Sequence, residues 1–324
     1  MRREGTAVII SASRRTDIPR FYSEWFFNRV REGFVATRNP FNADQVAKWR
    51  LDAETVDAIV FWTKDPAPML GRLRELDERG FVYYFQFTLT PYGRDVEPGV
   101  RGKDAVADTF RRLAEAVGPE RVIWHYDPVF LGKAHTEEWH AERFGSLADA
   151  LHDCTKRVVI SFLDADYRAV RRMGQESVRG GTAQEQDRLA GRLSGIARAA
   201  GLEMSTCAEE ADLSRHDIGR GRCIDAALIE RISGRARSGC AFRAARDKNQ
   251  RDSCGCVESV DIGAYNTCAH GCAYCYANFN PGVIAENRRR HDPASPALLG
   301  GCDAAALGFR AGQRSLWERQ GRLF

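Results

Sequence analysis

The feature that most constrains the fold is an alternation of short apolar runs with segments of helical periodicity over residues 1–206. The runs predicted as strands are residues 7–11, 34–37, 58–62, 83–88, 121–126, 157–162 and 202–206. Several are nearly continuous in β-branched and aromatic residues, which is typical of parallel strands covered by helices. Because repeated strand–helix units imply right-handed crossovers, the sequence predicts an α/β fold built on a parallel sheet.

An eighth strand is predicted at residues 257–263, after a stretch rich in glycine, arginine and cysteine. In a closed eight-stranded barrel the last strand lies beside the first. We therefore predict a (β/α)8 or partial TIM-like barrel, and an open six-stranded partial barrel with flanking pieces is the alternative. The barrel is expected to span residues 1–275, with a cysteine insert at 207–256. Residues 276–324 are expected to form a loop-rich C-terminal cap packing on it.

Cysteine usage indicates the class of chemistry. Nine of the ten cysteines lie at or beyond Cys207. No apolar run approaches the ~20 residues of a membrane span, and no signal peptide is apparent, so we expect a cytoplasmic protein without a membrane partner. Disulfides are rare in that compartment, and such clustering favours metal or redox chemistry. The formal charge of +4 is too small to indicate nucleic-acid binding.

Three of these cysteines, Cys268, Cys272 and Cys275, have the spacing C-x3-C-x2-C. Three thiolates in one short loop can hold three irons of a [4Fe–4S] cluster and leave the fourth iron open to a small chelating molecule. Structural zinc usually takes four ligands from pairs of C-x2-C, and this loop contains one such pair. The spacing therefore favours iron–sulfur over zinc.

With Tyr274 before its third cysteine, the loop closely resembles the cluster motif of radical S-adenosylmethionine (SAM) enzymes. The resemblance implies SAM as a second cofactor, hydrogen abstraction from an unidentified substrate by a 5′-deoxyadenosyl radical, and an external electron donor such as flavodoxin or ferredoxin. It also implies that Tyr274 packs against adenine and that Tyr276 borders the loop. In most of that superfamily the motif follows the first barrel strand, so this barrel would be circularly permuted.

A second resemblance covers nearly the whole chain. The chain is similar to an uncharacterised bacterial family, a domain of unknown function, at residues 11–19, 60–64, 84–90, 124–128, 206–210, 248–251 and 261–268. His125 departs from the pattern, since a basic residue such as arginine is expected there. The loop is also distantly similar to that of spore photoproduct lyases. A nucleic-acid lesion is therefore an alternative to a small-molecule or peptide substrate.

A second set of cysteines precedes the loop. We predict that Cys207, Cys223, Cys254 and Cys256 bind an auxiliary iron–sulfur cluster, with Cys240 as a spare. Structural zinc and free buried thiols are the alternatives. Cys207 ends a predicted strand, at the rim where barrel enzymes place their chemistry.

Polar residues that follow the strands are the other candidates. By position in radical SAM barrels, Arg14, Arg15 and Asp17 are predicted to hold the amino and carboxylate groups of SAM. The alternative is a helix N-cap at Thr16 or Asp17 with surface arginines. The candidate catalytic residues, predicted to point into or over the barrel mouth, are Lys64, Gln86, His125, Tyr126 and Asp127. The competing non-enzyme hypothesis is an iron–sulfur or zinc protein that senses redox state or binds a partner without cleaving SAM.

Overall fold

The computed structural model describes residues 8–164, 170, 173, 178–235 and 240–319. Its centre is an eight-stranded sheet in which every neighbouring pair is parallel. The strands, in the order in which they lie side by side, are β11 (Val260–Asp261), β1 (Ile9–Ala12), β4 (Ala58–Thr63), β5 (Tyr83–Thr88), β6 (Val122–Val129), β7 (Arg157–Phe162), β8 (Glu203–Thr206) and β9 (Gly219–Arg220). The predicted α/β fold with a parallel sheet is confirmed.

The strand before the cysteine loop pairs with the first strand of the chain, as predicted. Ile10 is the register partner of Val260, and Ser11 is the partner of Asp261. Within the described residues, β9 and β11 each pair along one side only. Closure of the sheet into a barrel therefore stays a prediction.

The strand predicted at residues 34–37 exists, but its predicted place as the second strand of the barrel is wrong. It forms β2 (Phe34–Asn39), which pairs antiparallel with β3 (Asn42–Arg50) in a separate two-stranded sheet. The reason is the short turn between them, since a parallel neighbour would need a crossover of a dozen or more residues. A third sheet pairs β10 (Cys240–Phe242) with β12 (Trp317–Arg319).

Eight α-helices lie in the described part of the chain. They are α1 (Ile18–Phe21), α2 (Ser23–Glu32), α3 (Leu73–Glu78), α4 (Lys103–Val117), α5 (Glu137–Leu151), α6 (Ala183–Ala199), α7 (Ala226–Ser233) and α8 (Pro281–Arg289). Short 3₁₀ helices lie at Leu70–Arg72, Pro119–Arg121 and Ser214–His216. No described helix is both long and apolar enough to cross a membrane.

The two faces of the sheet bury different partners, because successive side chains of a strand point to opposite faces. One face packs on the helices: Phe61 and Trp124 share a core with Trp25 of α2 and Phe110 of α4. The other face carries residues of the alternate register, such as Tyr84. It packs on α7 and on Cys223, Cys254 and Cys256. The second cysteine set therefore lies against the face of the sheet that α7 covers.

The C-terminal segment packs along the rest of the molecule. Trp25 Nε1 donates a hydrogen bond to Ser295 O at 2.8 Å. The buried carboxylate of Asp57 accepts from Ser315 Oγ at 2.5 Å and from Leu316 N at 2.8 Å. The boundary at residues 275 and 276 stays a prediction.

Tyr126 was predicted to point into or over the barrel mouth, and this prediction is wrong. It lies in the core between the sheet and the helices, and its hydroxyl is 2.8 Å from His140 Nδ1. The strand pleat explains this, because His125 and Asp127 take one face and Tyr126 takes the other. His140 is fully buried, with Nε2 2.8 Å from Phe130 O.

Burial of His140 predicts a pH dependence of stability. Desolvation lowers the pKa of His140 from 6.5 to about 4. Between these values the unfolded chain binds a proton that the folded chain does not. The free energy of unfolding should therefore fall as the pH falls, by about 2 kcal/mol between about pH 7 and about pH 5. Urea unfolding at both pH values should show a smaller fall for His140→Gln, whereas the exposed control His152→Gln should match the unaltered protein. Equal falls in all three would contradict this origin.

Candidate functional site

A cavity of about 390 Å³ lies at the carboxyl edge of the sheet, where strand-end side chains converge. This is the usual ligand-binding edge of parallel sheets. Its lining includes most of the predicted site residues, namely Arg14, Arg15, Asp17, Lys64, His125, Asp127, Tyr274, Tyr276, Cys207, Cys223, Cys254, Cys256, Cys268, Cys272 and Cys275. The two cysteine sets therefore share one cavity.

Gln86 lies beneath this cavity rather than in its lining. It is buried, donates through Nε2 to Cys223 O at 2.6 Å, and its Oε1 is 2.5 Å from His125 Nε2. Gln86 therefore orients the His125 ring and ties β5 to the segment before α7, which is a positioning role rather than contact with a ligand.

The cysteine loop is shaped by Asn278, a residue that sequence reasoning missed. Asn278 Oδ1 accepts from Thr267 N at 2.8 Å and from Cys268 N at 2.9 Å. Its Nδ2 lies 3.6 Å from Cys275 Sγ. Between these contacts Gly271 adopts a positive φ of 65°, which favours glycine. One amide side chain thus holds both ends of the loop.

Asp17 fastens the loop to the sheet. Its carboxylate accepts from Thr63 Oγ1 at 2.8 Å, from Lys64 N at 2.7 Å and from Arg20 N at 2.9 Å. His270 Nε2 of the loop lies 2.8 Å from the same carboxylate. Asp17 is also the N-cap of α1. Because both oxygen atoms are engaged in this way, the structure gives Asp17 a positioning role.

Gly99 allows the loop to lie directly on the chain between β5 and α4. Gly99 N donates to His270 O at 2.8 Å. A Cβ atom at this position would clash with the backbone oxygen atoms of Ala269 and His270. The close backbone approach therefore requires glycine.

Glu97 is the centre of a buried charge cluster beside the loop, and no sequence motif had singled it out. It accepts from Lys64 Nζ at 2.8 Å and from Thr90 Oγ1 at 2.9 Å, and it also binds Lys103 and the hydroxyl of Tyr274. Burial alone would raise the pKa of Glu97, but Lys64 and Lys103 lower it to about 2. The cluster therefore holds Tyr274 and the Lys64 ammonium in place at the cavity wall.

Two of the loop thiols, Cys268 and Cys272, are unfavourable as free thiolates because they are buried. Burial raises the pKa of Cys268 well above its usual range. Burial also raises the pKa of Cys272, to about 12, although Lys64 opposes the change. Metal binding to such thiols would displace their protons, so the affinity for a metal should rise with pH.

The second cysteine set is compact. Cys207 Sγ and Cys223 Sγ are 3.4 Å apart, and Ile224 N donates to Cys256 Sγ at 3.4 Å. Cys223, Cys254 and Cys256 are buried, and Cys207 packs against the same cluster. Across the described residues, no three His, Cys, Asp or Glu side chains stand in ready-made metal coordination.

Arg14 and Arg15 differ in their surroundings. The Arg14 guanidinium lies 5.0 Å from the centre of the Trp62 ring, and Arg14 N donates to Asp261 Oδ2 at 2.9 Å. Its Nη2 is buried without a hydrogen-bond partner among the described residues. Arg15 lies over Tyr265 at 5.2 Å.

The remaining polar wall includes Asp127, Ser161 and Glu209. Ser161 Oγ donates to Asp127, and Glu209 accepts from Phe162 N at 2.7 Å. Burial raises the pKa of Glu209 to about 7. Glu209 can therefore gain or lose a proton near neutral pH.

Comparison with known protein families assigns the chain to one of them. Residues 9–277 match the family described as Domain of unknown function (DUF1848). The chain belongs to this family. The predicted membership of an uncharacterised family is thereby confirmed, and the match spans both cysteine sets of the DUF1848 protein. No curated protein matches it.

Among solved structures, the DUF1848 chain is similar to a "putative alpha-L-fucosidase" from Bacteroides thetaiotaomicron. The two are 12% identical, with 72% of this chain and 85% of that chain covered, at a TM-score of 0.28.

Proposed function

We propose that this DUF1848 protein is a radical SAM enzyme on a circularly permuted partial (β/α) barrel. The observation that carries the proposal is the position of Cys268, Cys272 and Cys275. These three thiols line one cavity at the carboxyl edge of a parallel sheet, beside β11 and β1. The spacing C-x3-C-x2-C, the aromatic Tyr274 and this location support the same chemistry.

The residues present fit a [4Fe–4S] cluster. Cys268, Cys272 and Cys275 would hold it as three soft thiolate ligands, and Asn278 lies beside Cys275 Sγ. When bound, such a cluster supplies the electron that breaks the sulfonium C–S bond of SAM and yields a 5′-deoxyadenosyl radical, which abstracts hydrogen from a substrate. The electron would come from an external donor such as flavodoxin or ferredoxin.

The residues around the loop would bind and orient SAM. Tyr274 lines the cavity with its hydroxyl held by Glu97, so its ring is fixed for contact with adenine. Tyr276 and Arg15 also line the cavity and are proposed contacts of SAM. Asp17 acts indirectly, because its carboxylate is engaged in holding His270 and the loop.

The proposed substrate is a small polar molecule or a peptide. The cavity volume of about 390 Å³ lies at the lower end of the range typical of ligand cavities, and SAM would occupy part of it, which leaves room for a small molecule or one residue of a peptide. The lining also carries His125, Asp127 and Glu209, which provide hydrogen-bonding and proton-accepting groups. A nucleic-acid lesion stays the alternative substrate class.

Anaerobic reconstitution with iron and sulfide tests the proposal. We expect at least about four irons and four sulfides per chain. Incubation with SAM and dithionite should then release 5′-deoxyadenosine, measured by liquid chromatography. Protein loaded with iron and sulfide that forms no 5′-deoxyadenosine would overturn the proposal.

A further inference from the structure

Four thiols in the cavity lie outside the cysteine loop. Cys207 directly follows β8, Cys223 precedes α7, and Cys254 and Cys256 lie shortly before β11. All four line the same cavity as the loop. Three separate segments of the chain thus deliver thiols to one wall, on the α7 side of the sheet.

The contacts within this set fit ligation of a soft metal. The 3.4 Å between Cys207 Sγ and Cys223 Sγ is close to the roughly 3.8 Å expected for two thiolates on a tetrahedral ion with ~2.3 Å bonds. Ile224 N donates to Cys256 Sγ, which is the kind of hydrogen bond that orients a metal-bound sulfur. The thiols are close together without a preformed geometry, so small side-chain rotations would complete the site.

Arg14 provides a second, independent observation. Its Nη2 is buried and makes no hydrogen bond within the described residues. Arg14 lines the same cavity as Cys223 and Cys256, and its backbone N–H donates to Asp261. A half-buried cation with a buried, unused donor, in the same cavity lining as the second cysteine set, is suited to compensate anionic thiolates.

We propose that Cys207, Cys223, Cys254 and Cys256 bind a second metal centre, an iron–sulfur cluster or a zinc ion, that faces the same cavity as the loop. Arg14 is its positioning residue and balances part of its negative charge. This centre requires only the four thiols and is independent of SAM cleavage. A ligand in the cavity would then contact the second centre as well as the loop.

Metal analysis of variants isolates this site. The loop variant carries Cys268→Ala, Cys272→Ala and Cys275→Ala. When it is purified anaerobically, we expect one metal centre per chain, measured as iron with sulfide or as zinc. Adding Cys254→Ser and Cys256→Ser should remove it, whereas adding the control Cys240→Ser should not. Circular dichroism confirms that each variant is folded.

Two results would overturn the second centre. One is a folded loop variant that binds neither metal in stoichiometric amount. The other is metal that persists after Cys254 and Cys256 are changed. Neither result bears on 5′-deoxyadenosine formation by the unaltered protein, so failure here and failure of the proposed function are distinguishable.

The role of Arg14 is tested by metal release to a chelator from the loop variant. Arg14→Met should accelerate release by about 10-fold or more, as for other residues that support metal ligands. Arg14→Lys should restore part of the effect, and the control Arg31→Met, at a half-exposed side chain on α2 outside the cavity lining, should leave the rate unchanged. Equal rates for Arg14→Met and its parent would overturn this role.

Discussion

Changing Cys268, Cys272 and Cys275 together to alanine is expected to reduce 5′-deoxyadenosine formation to the level of a protein-free control. The reason is that the loop is the proposed holder of the catalytic cluster, and alanine offers no ligand. The measurement is 5′-deoxyadenosine released from SAM under reducing conditions after reconstitution. Iron and sulfide should fall at the same time by about one cluster per chain.

The control for this variant is Cys154→Ala. Cys154 packs at the edge of the main core, outside the cavity lining, so its loss should leave 5′-deoxyadenosine formation unchanged. The competing redox-sensor hypothesis predicts a different pattern. In that case the unaltered protein would bind metal and form no 5′-deoxyadenosine, and the loop variant would lose only the spectroscopic signature of the metal.

The main strands could be predicted because their apolar runs are unusually complete. Residues 83–88, for example, form β5, which lies between two other strands and is buried on both faces. A strand buried on both faces has little alternation of apolar and polar residues, so its sequence is a nearly continuous apolar run. The pairing of β11 with β1 is the one that the predicted barrel topology requires.

Strands without a continuous apolar run, and their pairing partners, could not be predicted. Residues 34–37 do form a strand, but the partner β3 has a polar sequence with exposed residues, so no apolar pattern marked it. β9 has two exposed residues, Gly219 and Arg220, and is held by pairing with β8. Tertiary context, rather than local propensity, decides such strands.

The candidate site likewise contains residues that could be predicted from the sequence and contacts that could not. Cysteine spacing and strand ends identified the cavity-lining thiols, Lys64 and Asp127. The supporting contacts were hidden, because they join residues distant in sequence: His270 and Asp17 are separated by 253 positions. Glu97 belongs to no motif, and only the folded chain brings it to Lys64 and Tyr274.

Glu97→Ala should lower the free energy of unfolding by about 3–5 kcal/mol, the cost of removing one partner from a buried ion pair. The Glu97 side chain is 1% exposed and that of Lys64 is 14% exposed, so water replaces the lost carboxylate at Lys64 only in part. Thr90 and Tyr274 would lose their acceptor as well. Urea unfolding followed by circular dichroism measures the change. Glu97→Gln should cost less, because the amide can still hydrogen-bond to these hydroxyl groups.

The matched control is Glu78→Ala, which removes an ion pair between Glu78 and Arg74, whose side chains are 63% and 88% exposed. Solvent screens such a pair, so the loss should stay within about 0.5 kcal/mol. If Glu97→Ala cost no more than this control, water would have to reach Lys64 freely in the folded protein. The charge cluster would then not fix Tyr274 at the cavity wall, and the proposed contact of this ring with adenine would lose its structural support. A loss several times larger than that of the control is therefore what the burial of Glu97 requires.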